Sequence, residues 1–483
     1  MDGERERERK RKRGSGDASG AGSSSGSRSS PQFDEYSIKE LKEWLRRKGV
    51  TDFTRFIEKQ DLVKEAKKVH AVECRPKAFE IMHVGGVHPK GKRLQDLCRG
   101  EVKAALVSNY LLDADFLIEN FPDVVRAPEL IVAYDERNAQ SKCIKERLVK
   151  ERGWMDQDRS RLVLHAPPLP IPYGTHHSKF FILFFRDKMR LIITTANLIE
   201  KDCCYKTQGI WFQDFFLKKE RSSCSFEIEF IQYLNHLNLP RTCMKFLENV
   251  KKVDFSPAKA LCLIASVPGY HKANTINLYG HMKLRRVLSQ ETFKYCFSGS
   301  PLICQYSSVG SLDRKWVQEE FVTSLSAGRL SGSGHLGPPA NLERDLHLVW
   351  PTYREVATSL EGLSAGTSIP GAQKNVCKDF LLPHYRKWGS VRAAPHIKTY
   401  MRYSGSELAW VVVGSHNLSK AAWGCLQKQG SQLCIRHYEL SVAVKVADDM
   451  DVPLPFQFPP EAYTNEDTPW SNELALGRIH GID

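Results

Sequence analysis

The chain has 483 residues, 41% of them hydrophobic and 10% aromatic, which excludes a disordered or fibrous polymer and is too much chain for one ordinary core. Its formal charge of +14 points to a polyanionic partner, with nucleic acid ahead of an acidic membrane surface. The 13 cysteines are scattered with no Cys-x-x-Cys pair, and no apolar run is long enough for a leader or a membrane span, so the expectation is a soluble intracellular protein with reduced thiols.

Residues 1–33 read as a disordered tail, first charged and then Gly/Ser-rich. Within it Arg9-Lys10-Arg11-Lys12-Arg13 suits nuclear import, against the alternative of a plain solvated tail. Residues 34–69 read as two helices. Ser37-Ile38-Lys39-Glu40 has the capping-box pattern, with Leu41, Trp44 and Leu45 following at helical spacing. Lys48-Gly49 ends that helix, and Leu62, Val63 and Ala66 mark a second one. This pair resembles SAP-like DNA-binding modules, and a packing or protein-interaction module stays equally open.

From about Phe79 onward, strand-like runs such as Leu130-Ile131-Val132-Ala133-Tyr134 and Ala260-Leu261-Cys262-Leu263-Ile264-Ala265 alternate with helical stretches, which is α/β organisation. The expected division is a first catalytic half over 75–255 and a second over 256–483. The Gly-, Ser- and Pro-rich stretch from Ser324 to Ala340 reads as a surface loop.

One pattern occurs twice. His177-Ser178-Lys179 precedes an apolar run, a turn at Arg186-Asp187-Lys188 and a second run ending at Asn197. His396-Ile397-Lys398 precedes another, with a turn at Ser404-Gly405-Ser406 and an end at Asn417. Each copy predicts a hairpin that His-x-Lys opens and Asn closes, so that each His and its Lys share one face. Two such sets facing each other would surround a phosphate with two ammonium groups and two amide donors, which suits phosphoryl transfer without a metal or cofactor. One imidazole would attack phosphorus and the other would serve as acid and base. Glu439, inside the apolar run Tyr438-Glu439-Leu440-Ser441-Val442, needs a partner for its charge unless it faces water, and an imidazole is the candidate.

The paired motifs resemble the phospholipase D superfamily, and within it the tyrosyl-DNA phosphodiesterase branch. The wider superfamily carries an Asp after His-x-Lys, and this branch has the Asn-terminated form. Further matches are Gly174-Thr175-His176-His177, Lys206-Thr207-Gln208-Gly209-Ile210-Trp211, Ser307-Ser308-Val309-Gly310-Ser311-Leu312 and Ser359-Leu360-Glu361-Gly362. Pro395 to Arg402, Asn417 to Gly424 and Tyr438-Glu439-Leu440 complete the set. The likeness runs from about Phe79 to the C-terminus.

That resemblance implies two pseudo-symmetric α/β/α sandwich halves with the site where they meet. It implies His177 as nucleophile and His396 as acid/base, Lys179 and Lys398 on the phosphate, Asn197 and Asn417 completing the pocket, and Gln208 and Glu439 orienting the imidazoles. Tyr173 would stack on a base, and Ser308, Val309, Gly310, Ser311, Ser368 and Ser419 would line the DNA path. The implied activity is removal of tyrosyl and related adducts from DNA 3′ ends by a monomer, without metal. Two alternatives stay open: a DNA-end-binding paralogue without turnover, and a phospholipase D-type enzyme acting on another phosphodiester.

Overall fold

The computed structural model describes residues 33–474, apart from 49, 55, 74–75, 138–143, 154–160, 221–222, 259–261 and 390. The tail through residue 32, with its Arg9–Arg13 run, lies outside the described residues, as do Ala260 and Leu261. The chain forms two compact units, Met1–Arg75 and Pro76–Asp483.

In the smaller unit, helix α1 spans Ile38–Arg47 and helix α2 spans Lys59–Glu73. The capping box closes as the sequence predicts: the Glu40 N–H donates to Ser37 Oγ at 3.3 Å, and the Ser37 N–H to Glu40 Oε2 at 2.7 Å. Arg46 and Arg47 lie against the negative end of the helix dipole. Leu41 and Leu45 meet Leu62, Val63 and Ala66 in a small core. Phe33, which the composition assigned to the tail, is buried in that core as well.

The larger unit is α/β, built on two seven-stranded mixed sheets of matching grammar. In the first, the antiparallel hairpin Phe180–Phe184 and Lys188–Thr194 is central. Ala104–Asn109 pairs antiparallel with its first strand and begins a parallel run through Glu129–Tyr134 to Arg161–His165. Gly209–Phe216 and then Glu80–Ile81 lie on its other side. The second sheet repeats this order. The Thr399–Ser404 and Glu407–Gly414 hairpin is flanked by Leu302–Gln305, Leu346–Val349 and Tyr385–Arg386 on one side. Glu439–Lys445 and Cys262–Ser266 flank it on the other.

Alternation along the strands sorts the apolar side chains into three clusters. Phe180, Ile182, Leu191 and Ile193 of the first sheet share one core with Met401, Val411, Val413, Leu440 and Val442 of the second. Phe181, Leu183 and Ile192 face outward into the first sheet's own helices, and Tyr400, Val412 and Trp410 do the same on the second.

The Ser324–Ala340 stretch is only partly the surface loop its composition predicts. Arg329–Leu330 pairs with Thr292–Phe293 as a short strand, and Leu325, Leu330 and Leu336 are buried. The apolar residues interleaved among the glycines and serines hold it to the core. No helix among the described residues is long and apolar enough to cross a membrane.

Candidate active site

Both hairpins open toward the seam between the sheets. The sequence pattern put His-x-Lys and Asn on the strands themselves. The structure places them just outside: the strands begin at Phe180 and Thr399, and end at Thr194 and Gly414. The physical reason is where the backbone bonds go. The His177 N–H donates across the seam to Tyr438 O at 3.0 Å, and the His396 N–H to Thr207 O at 3.1 Å. Each histidine therefore leaves its own sheet and joins the other half, one residue short of that half's Glu439 or Gln208. Gly209 permits the approach, because a Cβ there would stand 2.9 Å from the Ile397 side chain and 3.0 Å from Val413.

The two rings are held reciprocally. Glu439 Oε2 lies 2.9 Å from His177 Nδ1, and Glu439 is 1% exposed. The Gln208 amide lies against His396 Nδ1, with Nε2 at 2.9 Å and Oε1 at 3.2 Å. Alternation also selects His177 over its neighbour: His176 turns away, its Nε2 on Ser108 Oγ at 2.8 Å. His416, next to Asn417, is likewise consumed by Ser266 and Ser441.

Lys179 and Lys398 are buried behind the imidazoles. Lys179 Nζ donates to His177 O at 2.8 Å and stands 5.5 Å over the Tyr110 ring, and Lys398 Nζ donates to His396 O. Burial lowers the Lys179 pKa to about 8, against the pull of Glu439 and Asp202. Burial also lowers Lys398 well below the usual lysine range, and the Lys179 charge adds to the effect. Both histidines are depressed by burial and then by the two lysines, so each is neutral at physiological pH. Burial pushes Glu439 up, opposed by His416 and Lys179.

The asparagines differ. Asn197 Oδ1 accepts the Leu111 N–H at 3.3 Å, and its Nδ2 donates to Asp202 Oδ2 at 2.7 Å. Asn417 Oδ1 accepts the equivalent Ser307 N–H at 3.2 Å, and its Nδ2 has no partner among the described residues. Asp202 is a residue the sequence reading missed. It is fully buried, lies 3.3 Å from His396 Nδ1, and also accepts the Ser368 hydroxyl at 3.1 Å. Nothing in its local sequence marks it beyond a carboxylate five residues after the Asn. Tyr110, whose ring centroid is 5.0 Å from that of His177, carried no signal at all.

These groups meet at a cavity of about 850 Å³. His177, His396, Asn197, Asn417 and Glu439 form one wall of it, and Ser308, Gly310, Ser368 and Ser419 line it as well. Lys179, Lys398 and Gln208 stand behind that wall, buried. The remaining expected DNA contacts lie off the cavity surface. Tyr173 is 84% exposed with a left-handed φ of 60°, Ser311 is exposed, and the Val309 side chain is packed into the second half's core, which leaves only its backbone for a ligand. Among the described residues no group of three or more His, Cys, Asp or Glu is placed to hold a metal ion.

Paired sheets with a His/Lys/Asn set from each half at one seam define the phospholipase D type of α/β fold. Comparison with known proteins gives the branch. A family model described as tyrosyl-DNA phosphodiesterase matches residues 88–464. Tyrosyl-DNA phosphodiesterase 1 of Arabidopsis thaliana is 37% identical over 472 residues, covering 83% of this chain and 74% of its own. A probable tyrosyl-DNA phosphodiesterase of Caenorhabditis elegans is 31% identical over 388 residues, covering 75% and 80%. The crystal structure of yeast tyrosyl-DNA phosphodiesterase superposes with a TM-score of 0.62 at 19% identity, over 81% of this chain and 99% of that one. The chain belongs to the tyrosyl-DNA phosphodiesterase family, hydrolases that act on phosphodiester bonds.

Proposed function

We propose that this chain hydrolyses the phosphodiester between a DNA 3′ end and a tyrosyl or related adduct, through a phosphohistidine on His177. The observation that carries this reading is the reciprocal seam: two imidazoles from opposite halves in one cavity, each held at Nδ1 by a residue of the other half. In the first step His177 Nε2 attacks phosphorus while its Nδ1–H points at Glu439, whose charge stabilises the cationic phosphoimidazole. The P–O bond to the adduct breaks and the tyrosyl oxygen departs as a phenolate. In the second step neutral His396 takes a proton from water, the hydroxide attacks phosphorus, the P–N bond breaks to leave a 3′-phosphate, and the His396 imidazolium returns its proton to solvent. Lys179, Lys398 and the free Asn417 Nδ2 stabilise the phosphoryl oxygens throughout.

DNA as substrate is supported by the charge of +14, and by the hydroxyl-lined cavity, which suits backbone contacts without base readout. We further propose nuclear action, on the strength of the Arg9–Arg13 run, and action as a monomer away from membranes, because one chain supplies every group of the site.

The test is cleavage of a 3′-phosphotyrosyl oligonucleotide in the presence of EDTA. Release of a 3′-phosphate end supports the proposal, including its independence of metal. Tight binding without release would overturn it in favour of an end-binding protein. Activity that EDTA abolishes would overturn the mechanism.

A further inference from the structure

The backbone bridge that seats His177 carries a second pair of residues. His176 and Tyr438 are the bridged partners, so the residues on either side of them, Thr175 and His177 on one strand and His437 and Glu439 on the other, project to the same face. One pair is His177 with Glu439. The other is Thr175 with His437, and both of its members line the 850 Å³ cavity.

The tautomer of His437 follows from its partner. The Thr175 backbone N–H, which can only donate, points at His437 Nδ1 from 3.0 Å, and the Thr175 hydroxyl is 2.9 Å from the same nitrogen. Nδ1 is therefore bare and the ring proton sits on Nε2. Burial, only partly offset by Glu439, lowers the ring's pKa to about 4, so the neutral form persists through the physiological range. Nε2 has no partner among the described residues and is not among their buried unpartnered polar atoms, so it is not sealed from solvent. It is an open N–H donor, fixed in direction by a backbone bond.

We infer that His437 is a further substrate-contacting residue, whose Nε2–H donates to a phosphate oxygen of the DNA strand retained on His177. The inference rests on the proposed chemistry. In-line attack by His177 places the leaving group at the far apex of phosphorus, so a donor beside His177 is remote from the leaving group and faces the equatorial oxygens and the strand they carry. The Glu439 pair consumes one position of this face to orient the nucleophile, and the Thr175 pair leaves the other for the substrate.

Two substitutions separate contact from scaffolding. His437→Asn keeps an acceptor near the Nδ1 position for Thr175 but is too short to reach the substrate, whereas His437→Gln carries an amide N–H close to the Nε2 position. Each is compared with wild type for KM and kcat on a 3′-phosphotyrosyl oligonucleotide, and for the Kd of the 3′-phosphate product strand by fluorescence anisotropy. A single neutral hydrogen bond predicts that Asn raises KM and Kd about threefold to tenfold, while kcat changes by less than about twofold. Gln should recover most of that loss. The opposite order, with Gln the more damaging, would assign His437 to holding the Thr175 loop and overturn the inference. Two variants indistinguishable from wild type, or a loss confined to kcat, would overturn it as well. Failure of the wild type to cleave would remove the proposed function, and the Kd comparison would still decide the role of His437.

Discussion

The two half-sites share a scaffold and differ in what holds each ring. His177 is 14% exposed and faces a carboxylate at 2.9 Å. His396 is 7% exposed and faces a neutral amide, with the Asp202 carboxylate standing further off at 3.3 Å and already occupied by Asn197 and Ser368. A full charge on Nδ1 supports the positive charge that grows on a ring bonding to phosphorus. An amide gives direction with little charge, so the imidazolium it holds gives up its proton readily. The difference in partner matches a nucleophile on one side and a proton carrier on the other, although the hairpins that present them are alike.

The sharpest test of that contrast removes each ring in turn. His177→Ala should lose cleavage by a factor on the order of 10³ or more and form no covalent product. His396→Ala should lose turnover by a factor on the order of 10² or more and accumulate enzyme–DNA adduct, because a phenolate departs without help and hydrolysis does not proceed without a base. Gel electrophoresis of the denatured reaction distinguishes them, and equal, adduct-free inactivity would erase the assignment of roles.

Exchanging the partners is the next largest effect. Glu439→Gln should slow the first step by a factor on the order of 10², read as loss of the burst of released tyrosine. Gln208→Glu should put a charge directly on His396, raise its pKa by about 1–3 units and move the acid limb of kcat upward by that amount. The covalent intermediate should then persist at neutral pH. An unchanged pH profile in Gln208→Glu would show that Asp202 already supplies the charge.

The smallest effect is in the wild-type pH profile. Protonation of His177 removes its nucleophile, but burial holds its pKa well below 6.5, so kcat/KM should stay level through pH 6 and fall only in more acid solution. Lys179, with a pKa lowered to about 8, loses its charge as pH rises through that value, so kcat/KM should fall about twofold there and further above it. A profile flat to pH 10 would show that the phosphate clamp does not depend on Lys179.

How much of this was legible in the sequence follows from the range of the interactions. The repeated His-x-Lys…Asn spacing is a local hairpin signature, so the alternating α/β order and the paired sets could be read directly. Glu439 was legible because a charge within an apolar strand needs a partner. What escaped was decided by packing across the seam. The exit of both histidines from their own strands, the Asp202 carboxylate, the Tyr110 ring and the free nitrogen of His437 depend on residues more than a hundred positions apart, or on loops with no periodicity. Tyr173, Val309 and Ser311 came only from resemblance, and the fold leaves them off the cavity wall. Composition misjudged Ser324–Ala340, because three leucines outweigh its glycines.

The cross-seam bonds of His177 to Tyr438 and of His396 to Thr207 make chemical competence a late event in synthesis. A ribosome that has reached Arg436 has already made both imidazoles, both ammonium groups and both amides, yet the strand that seats the nucleophile does not exist. A chain stopped there would lack Tyr438 and Glu439, the two residues that hold the His177 backbone and ring.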